Sequence, residues 1–319
     1  IDWVTVGDPG NAADTGGFGA VAESFRIMKF EFTNSQYAAF LNSVAATDTY
    51  ALYNTSMGSN ARGGITRSGS SGSFTYAVKA NMGDKPVNFV SWFDAARVAN
   101  WLVNGGTSSS STETGAYTLV GGQTSGTAPA KNPGATFYIP TEDQWYKAAY
   151  YKGGSTNAGY WNYATQSDTA PSAVTSGTTG IGSAGSLGNF ANYNFAAVWN
   201  GQTGNVTTVG SNGGPSAYGA FDMSGNISEW NDLTGTAGSV RGLRGGDWST
   251  FGASDLSSSG RLTNSPSSEG NFVGFRLASS PVPEIDPAGI ASVLSLVVGS
   301  LGIAERRLRA GRRGGRTAG

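Results

Sequence analysis

The chain has 319 residues, enough to bury a full core without covalent staples. It has no cysteine and no histidine, which excludes thiolate catalysis, disulfides, histidine general bases and nearly every zinc, copper or non-haem iron site built from the usual ligands. The net charge is −1, yet Arg306, Arg307, Arg309, Arg312, Arg313 and Arg316 crowd the C-terminal end, so the body before them is acidic and nucleic acid is not an expected partner. The 49 glycines, with 13% charged and 11% aromatic residues, describe a loop-rich globular protein of α+β class with little regular structure.

Along the chain, "GGFGAV" at 16–21 is too short and too early for a dinucleotide loop, and no helical pattern follows it. "FRIMKFEF" then reads as a strand. Thr33 to Gln36, Ser91 to Asp94 and Thr141 to Gln144 each place a hydroxyl at an N-cap and a carboxylate or amide three residues on. That is what a capping box needs, so three short helices are expected. In the second, Phe93, Val98, Trp101 and Leu102 fall near one face and Arg97 and Asn100 elsewhere, which makes Trp101 a core residue. Glu142 and Asp143 lie in the first turn of the third helix, where the dipole favours them, and are expected in solvent. "GAYTLV" and "VRGLRGG" read as further short strands, and 104–115 and 172–189 as surface insertions.

Two stretches near the end of the body carry candidate chemistry. In "FDMSGNISEW", Asp222 and Glu229 offer carboxylates while a bend at Ser224 and Gly225 turns carbonyls inward, the all-oxygen set that calcium prefers. The alternative reading is that Asp222 caps a turn and Glu229 pairs with an arginine. In "RGLRGGDWSTFGASD" a double glycine brings backbone close to a pocket, with Arg244, Asp247 and Trp248, and later Arg261, as ligand-binding candidates. Trp248 has core packing as its other reading. Ser91, Ser249 and Thr250 lack the histidine base that a serine triad uses.

Pro281, Pro283 and Pro287 cut the body from "AGIASVLSLVVGSLGIA", seventeen uncharged residues at 288–304 that would make a helix of roughly 25 Å, at the short end for a membrane span. The arginines directly after it fit the rule that positive charge stays cytoplasmic. The Pro-Glu motif, apolar helix and arginine-rich end together resemble a PEP-CTERM sorting tail, the signal an exosortase recognises in exported bacterial proteins, although Ile285 stands where a second proline is usual. The domain division expected is therefore 1–279 for the body and 280–319 for the tail, which anchors the chain in the membrane before processing. No signal peptide precedes Ile1, and one is expected to have been cleaved or left out.

The body resembles the formylglycine-generating enzyme family, also called the sulfatase-modifying factor family. The resemblance runs through "FRIMKFEFTNSQYAAFLN", "KPVNFVSWFDAARVANWL", "FYIPTEDQWYKAAYY", "YGAFDMSGNISEW" and "RGLRGGDWS" to "GFRLA". It implies a single compact domain with a variant of the C-type lectin fold. The family's enzymes oxidise a sulfatase cysteine to formylglycine with copper held by two cysteines, and the corresponding places here fall near Thr250 and Asp255, neither of which holds Cu(I) as a thiolate does. The iron-dependent sulfoxide synthases of a related branch use histidines, which are also absent. The resemblance further implies calcium on Asp222 and Glu229 by side chain and on Gly225 and Ile227 by backbone oxygen, with a second site starting at Asn192 and Tyr193.

The expected cofactor is thus calcium, with no copper, zinc or haem. The expected function is that of a noncatalytic, exported cell-envelope or matrix protein whose lectin-like domain binds a glycan or protein ligand or serves as structure. The alternatives are a formylglycine-generating oxidase, against which the missing cysteines argue, and an enzyme of other chemistry using Arg244, Asp247, Asp255 and Arg261.

Overall fold

The computed structural model describes residues 1–281. The apolar stretch and arginine-rich end expected to form the sorting tail lie outside the described residues. The chain opens with the antiparallel pair β1 (Trp3–Val6) and β2 (Phe25–Met28). The strand expected over "FRIMKFEF" ends at Met28, and the chain then turns into α1 (Asn34–Val44). There Thr33 Oγ1 accepts the Gln36 N–H, and the Gln36 side chain accepts the Thr33 N–H at 2.9 Å. A one-turn helix α2 (Ser56–Ser59) and the hairpin β3 (Ile65–Ser68) and β4 (Thr75–Val78) follow.

The same reciprocal cap starts α3 (Trp92–Val103) at Ser91 and, after β5 (Phe137–Tyr138), α4 (Glu142–Tyr150) at Thr141. Each box satisfies backbone donors that the first helical turn leaves without partners, which is why all three long helices begin where their hydroxyls stand. The face expected on α3 differs, because every residue from Trp92 to Asn100 is buried. The reason is the following loop, which folds back over the polar side of the helix. Arg97 grips Glu113 at 2.7 and 2.9 Å, while Asn100 donates to the Thr112 carbonyl and accepts the Tyr117 N–H. With its N–H committed to Asn100, Tyr117 makes only an isolated bridge to Lys131, and no strand forms at "GAYTLV". Trp101 is half-buried against the main core, its indole N–H on the Thr107 carbonyl.

After α4, regular structure is sparse. β6 (Ser172–Ala173) and β7 (Phe190–Ala191) form a parallel pair, and β8 (Ser228–Asn231) and β9 (Arg241–Arg244) an antiparallel one. Then come β10 (Leu262–Asn264), β11 (Val273–Gly274) and β12 (Ala278–Ser279). Two four-stranded sheets result, ordered β1-β2-β12-β5 and β10-β9-β8-β11. Because β12 pairs with β2, Ala278 opposite Ile27, the two ends of the body meet in one sheet, and residues Ile1–Ser280 form one compact unit. The main core gathers Trp92, Trp145 and Trp230, and a second cluster gathers Met82, Trp199, Val206 and Trp248.

Candidate functional site

Helix α4 lies over the sheet that carries both candidate stretches. Glu142 and Trp145 are three residues apart and so share a helix face. Beneath them Glu229 of β8 and Arg244 of β9 stand opposite each other in register. Yet these two do not pair. Arg244 goes to Glu142, Nε to Oε1 at 2.9 Å, and Glu229 accepts the Trp145 indole N–H at 2.8 Å. Glu142 also holds Arg261 through both oxygens, at 2.6 and 2.9 Å. Glu142 was expected in solvent from its place in the first turn; it is instead 5% exposed, because two guanidiniums compensate the burial of its charge. Asp143 accepts the Gly19 N–H at 2.9 Å.

The double glycine after β9 turns the chain with φ of +96° at Gly245 and +66° at Gly246, and a Cβ at Gly246 would meet Leu256 Cδ1 at 2.8 Å. The turn opens a pocket of about 70 Å³ that brings together Arg244, Asp247, Thr250, Asp255 and Arg261, with Ser228 at its base. Thr250 and Asp255, near which the sequence resemblance puts the family's copper cysteines, therefore share one cavity. Asp247 accepts from the Ser249 N–H at 2.9 Å, the Ser249 hydroxyl at 2.5 Å and the Ser228 hydroxyl at 3.1 Å. Burial raises its pKa, and those donors pull it back down. Arg244 has no free edge, since its Nη1 also holds the Ser258 and Gly260 carbonyls. Trp248 does not line this pocket: it packs in the second core cluster, its N–H on the Asn271 carbonyl and Arg62 stacked over it at 4.4 Å.

The residues expected for calcium lie deeper. Glu229 is gripped by Arg276, with Nε to Oε2 and Nη2 to Oε1 both 2.6 Å, and both residues are sealed from solvent. Asp222 accepts the Gly210 N–H and, at 2.9 Å, the Asn212 amide. The Gly225 carbonyl accepts the Ile227 N–H at 2.8 Å. As arranged, this set does not fit a calcium ion, because its carboxylate oxygens are spent on protein donors and Arg276 already supplies the positive charge. Among the described residues no group of three or more acidic side chains is placed to hold a metal.

Asn192, from the second expected set, joins the same network. Its carbonyl accepts the Asn226 N–H at 2.7 Å, and its side-chain amide donates to Thr207 and Asn226. A Cβ at Gly225, at φ +81°, would sit 2.4 Å from the Asn192 carbonyl oxygen, so that crossing requires glycine. Tyr193 points elsewhere, its hydroxyl on the Pro171 carbonyl at 2.7 Å.

Three residues that sequence reasoning passed over, Glu31, Asn226 and Arg276, organise both regions together with Glu142, which it had placed in solvent. The Asn226 amide donates to both oxygens of Glu31 at 3.1 and 3.2 Å. Burial, then repulsion from Asp222, pushes the Glu31 carboxyl well above its usual range. The one signal available for them was a charged residue inside an apolar run, Glu31 in "KFEF" and Arg276 in "GFRLA", where a charge stays only if it is paired.

Comparison with known proteins bears on this geometry. The family model described as "Sulfatase-modifying factor enzyme 1-like domain" matches residues 19–281. None of the curated proteins matches the chain. Among solved structures, the fold is similar to that of CarF, with 22% identity and a TM-score of 0.54 over 88% of this chain and 99% of that one. It is also similar to variable protein 1 of Treponema denticola, with 20% identity and a TM-score of 0.50 over 88% and 95% of the two chains.

Proposed function

We propose, for a chain that belongs to the sulfatase-modifying factor enzyme 1-like family, a noncatalytic role as a binding or structural protein. One observation carries the reading: the pocket after the double glycine is formed, and Thr250 and Asp255, near which the sequence resemblance puts the family's copper thiolates, line it without any thiolate. A chain without cysteine or histidine has no thiolate or imidazole to substitute for them, and none of its four methionines lines this pocket. Nucleophilic chemistry at the same pocket finds little support. Asp247, the carboxylate to which the Ser228 and Ser249 hydroxyls donate, is also held by the Ser249 N–H and has no histidine to relay a proton, and Arg244 and Arg261 are both engaged by Glu142.

The proposal includes place as well as role. The sequence from 280 onward reads as a sorting tail, which would deliver the domain, exported, to the cell envelope or matrix, with an exosortase as the processing partner. Mature exported protein that keeps an intact C-terminus in an exosortase-bearing host would contradict that part. Calcium is not part of this reading, since the Asp222 and Glu229 carboxylates are held by protein donors.

The role itself is tested by supplying the purified full chain with copper and a sulfatase-type cysteine peptide. No aldehyde is expected above a control without protein. Formylglycine found by mass spectrometry would overturn the noncatalytic reading.

A further inference from the structure

We infer that a groove walled by Asp14, Trp161 and Ser258 is a binding site for a neutral oligosaccharide. The inference rests on the reading of this chain as a binding protein but concerns a different surface from the pocket at Asp247. Two adjoining cavities of about 400 and 600 Å³ share Asp14, Thr15, Asn162 and Ser258, and each is of ligand-site size. Consecutive residues divide the two surfaces: Ser258 and Ser259 line the groove, whereas Gly260 and Arg261 line the pocket.

The floor of the groove is rigid. Tyr146, Tyr160 and Tyr151 pack in series, with ring centroids 5.5 and 4.9 Å apart, and Phe18 lies 5.7 Å from Tyr146. Their hydroxyls are committed inward, Tyr146 to Asp14, Tyr160 to the Ala12 carbonyl and Tyr151 to the Ser155 carbonyl. Asp14 itself is spent on the Gly16 and Phe18 N–H groups and the Tyr146 hydroxyl. The rim is the opposite. Trp161 is half-buried and held from one side by Lys152 at 4.2 Å, and among the described residues its indole N–H has no hydrogen-bond partner. The same holds for the Tyr163 hydroxyl and the Asn157 amide, and Asp168 uses only Oδ1, on the Asn162 N–H.

Tyr146 and Tyr151 are buried and only hold the floor in place, so the ring faces on offer are those of half-buried Tyr160 and Trp161. Beside unspent amide, hydroxyl and indole edges they match a pyranose, whose weakly positive C–H face sits on the negative face of a ring while its hydroxyls meet planar polar groups. Other ligand classes match less well. A phosphate is best held by several cations, and among the described residues the groove offers only Lys152 beside Trp161, since the nearest guanidiniums, Arg244 and Arg261, are both bound to Glu142. A peptide read through its backbone needs a strand edge, and no strand of either sheet borders the groove among the described residues.

The test titrates the full chain with chitohexaose, cellohexaose and mannohexaose, following heat and tryptophan fluorescence. At least one is expected to bind, with Trp161→Ala weakening it about tenfold or more at unchanged melting temperature. Trp161→Phe should recover part of the affinity, and Asp168→Asn should keep most of it because the ligand is uncharged. Binding that survives Trp161→Ala, or no binding by any of the three, overturns the inference. The two readings fail separately: peptides captured on an array while all three sugars fail would leave the binding-protein reading standing, and aldehyde formation would sink that reading alone.

Discussion

Two arginine–carboxylate assemblies sit side by side under helix α4, and they have opposite characters. In one, Arg276 and Glu229 are at most 1% exposed at their side chains, and the guanidinium also holds the Met28 and Phe221 carbonyls. In the other, Glu142 ties Arg244 to Arg261, whose side chain is 40% exposed at the mouth of the pocket. The first joins β8 to the segments before and after it and has no outlet. The second borders solvent and positions the walls of a cavity. The difference separates a contact the fold requires from a surface that can vary: neither member of the sealed pair can be removed alone without stranding a charge, whereas the pocket is lined by Thr250, Asp255 and a partly exposed Arg261.

The largest effect should come from the sealed pair. Arg276→Met leaves Glu229 buried and unpaired beside Asp222 and Glu31, and is expected to cost about 3–5 kcal/mol in denaturant unfolding. Adding Glu229→Leu should return part of that loss, because removing both charges is milder than removing one. Arg261→Ala at the open assembly should cost about 0–1 kcal/mol, since Arg244 remains on Glu142 and solvent screens the lost pair. Equal losses for Arg276→Met and Arg261→Ala would erase the distinction between the two regions.

The next effect depends on pH and comes from Glu31 in the sealed region. Glu31 has a folded pKa raised above its ordinary 4.5 by burial and by Asp222. The folded state therefore holds a proton that the unfolded chain has released. That stabilisation is complete below the unfolded value and is lost as pH rises through the folded one. Glu31→Gln keeps the shape and removes the titration. Wild type and variant should have similar unfolding midpoints in acid, and the wild type should fall progressively behind as pH increases. Parallel curves across the range would show that Glu31 ionises in the fold as it does in water.

How much of this was legible in the sequence follows from the range of the interactions. The helix starts at Thr33, Ser91 and Thr141 were readable because a capping box closes within four residues. The pocket residues Arg244, Asp247, Thr250, Asp255 and Arg261 were readable as a group because a single turn and its return strand carry them all. Partners across the fold were not. Glu229 faces Arg244 in register and takes Arg276 instead, 47 residues away, and Arg244 takes Glu142, 102 residues away. No local pattern encodes that exchange. Trp248 illustrates the same limit, since the ring it packs against, Phe195 at 5.6 Å, comes from a glycine-rich loop with no periodicity to place it.

The smallest expected effect concerns calcium. An ion bound only by the folded state adds RT ln(1 + [L]/Kd), about 2.7 kcal/mol at a hundred times Kd, which moves the melting temperature of a domain this large by several degrees. At Asp222 and Glu229 the ion would have to displace Arg276, and so also release the guanidinium from the Phe221 and Met28 carbonyls. Chelator and added calcium are accordingly expected to give the same melting temperature within about a degree. The variant that decides the matter is Asp222→Asn, which keeps the shape that accepts Gly210 and Asn212. Removing Glu229 would lower the melting point whether or not calcium binds, because it strands Arg276. A calcium-dependent shift of several degrees in wild type that Asp222→Asn abolishes would place the ion in the sealed region after all, and would mean that Arg276 leaves Glu229 when calcium arrives.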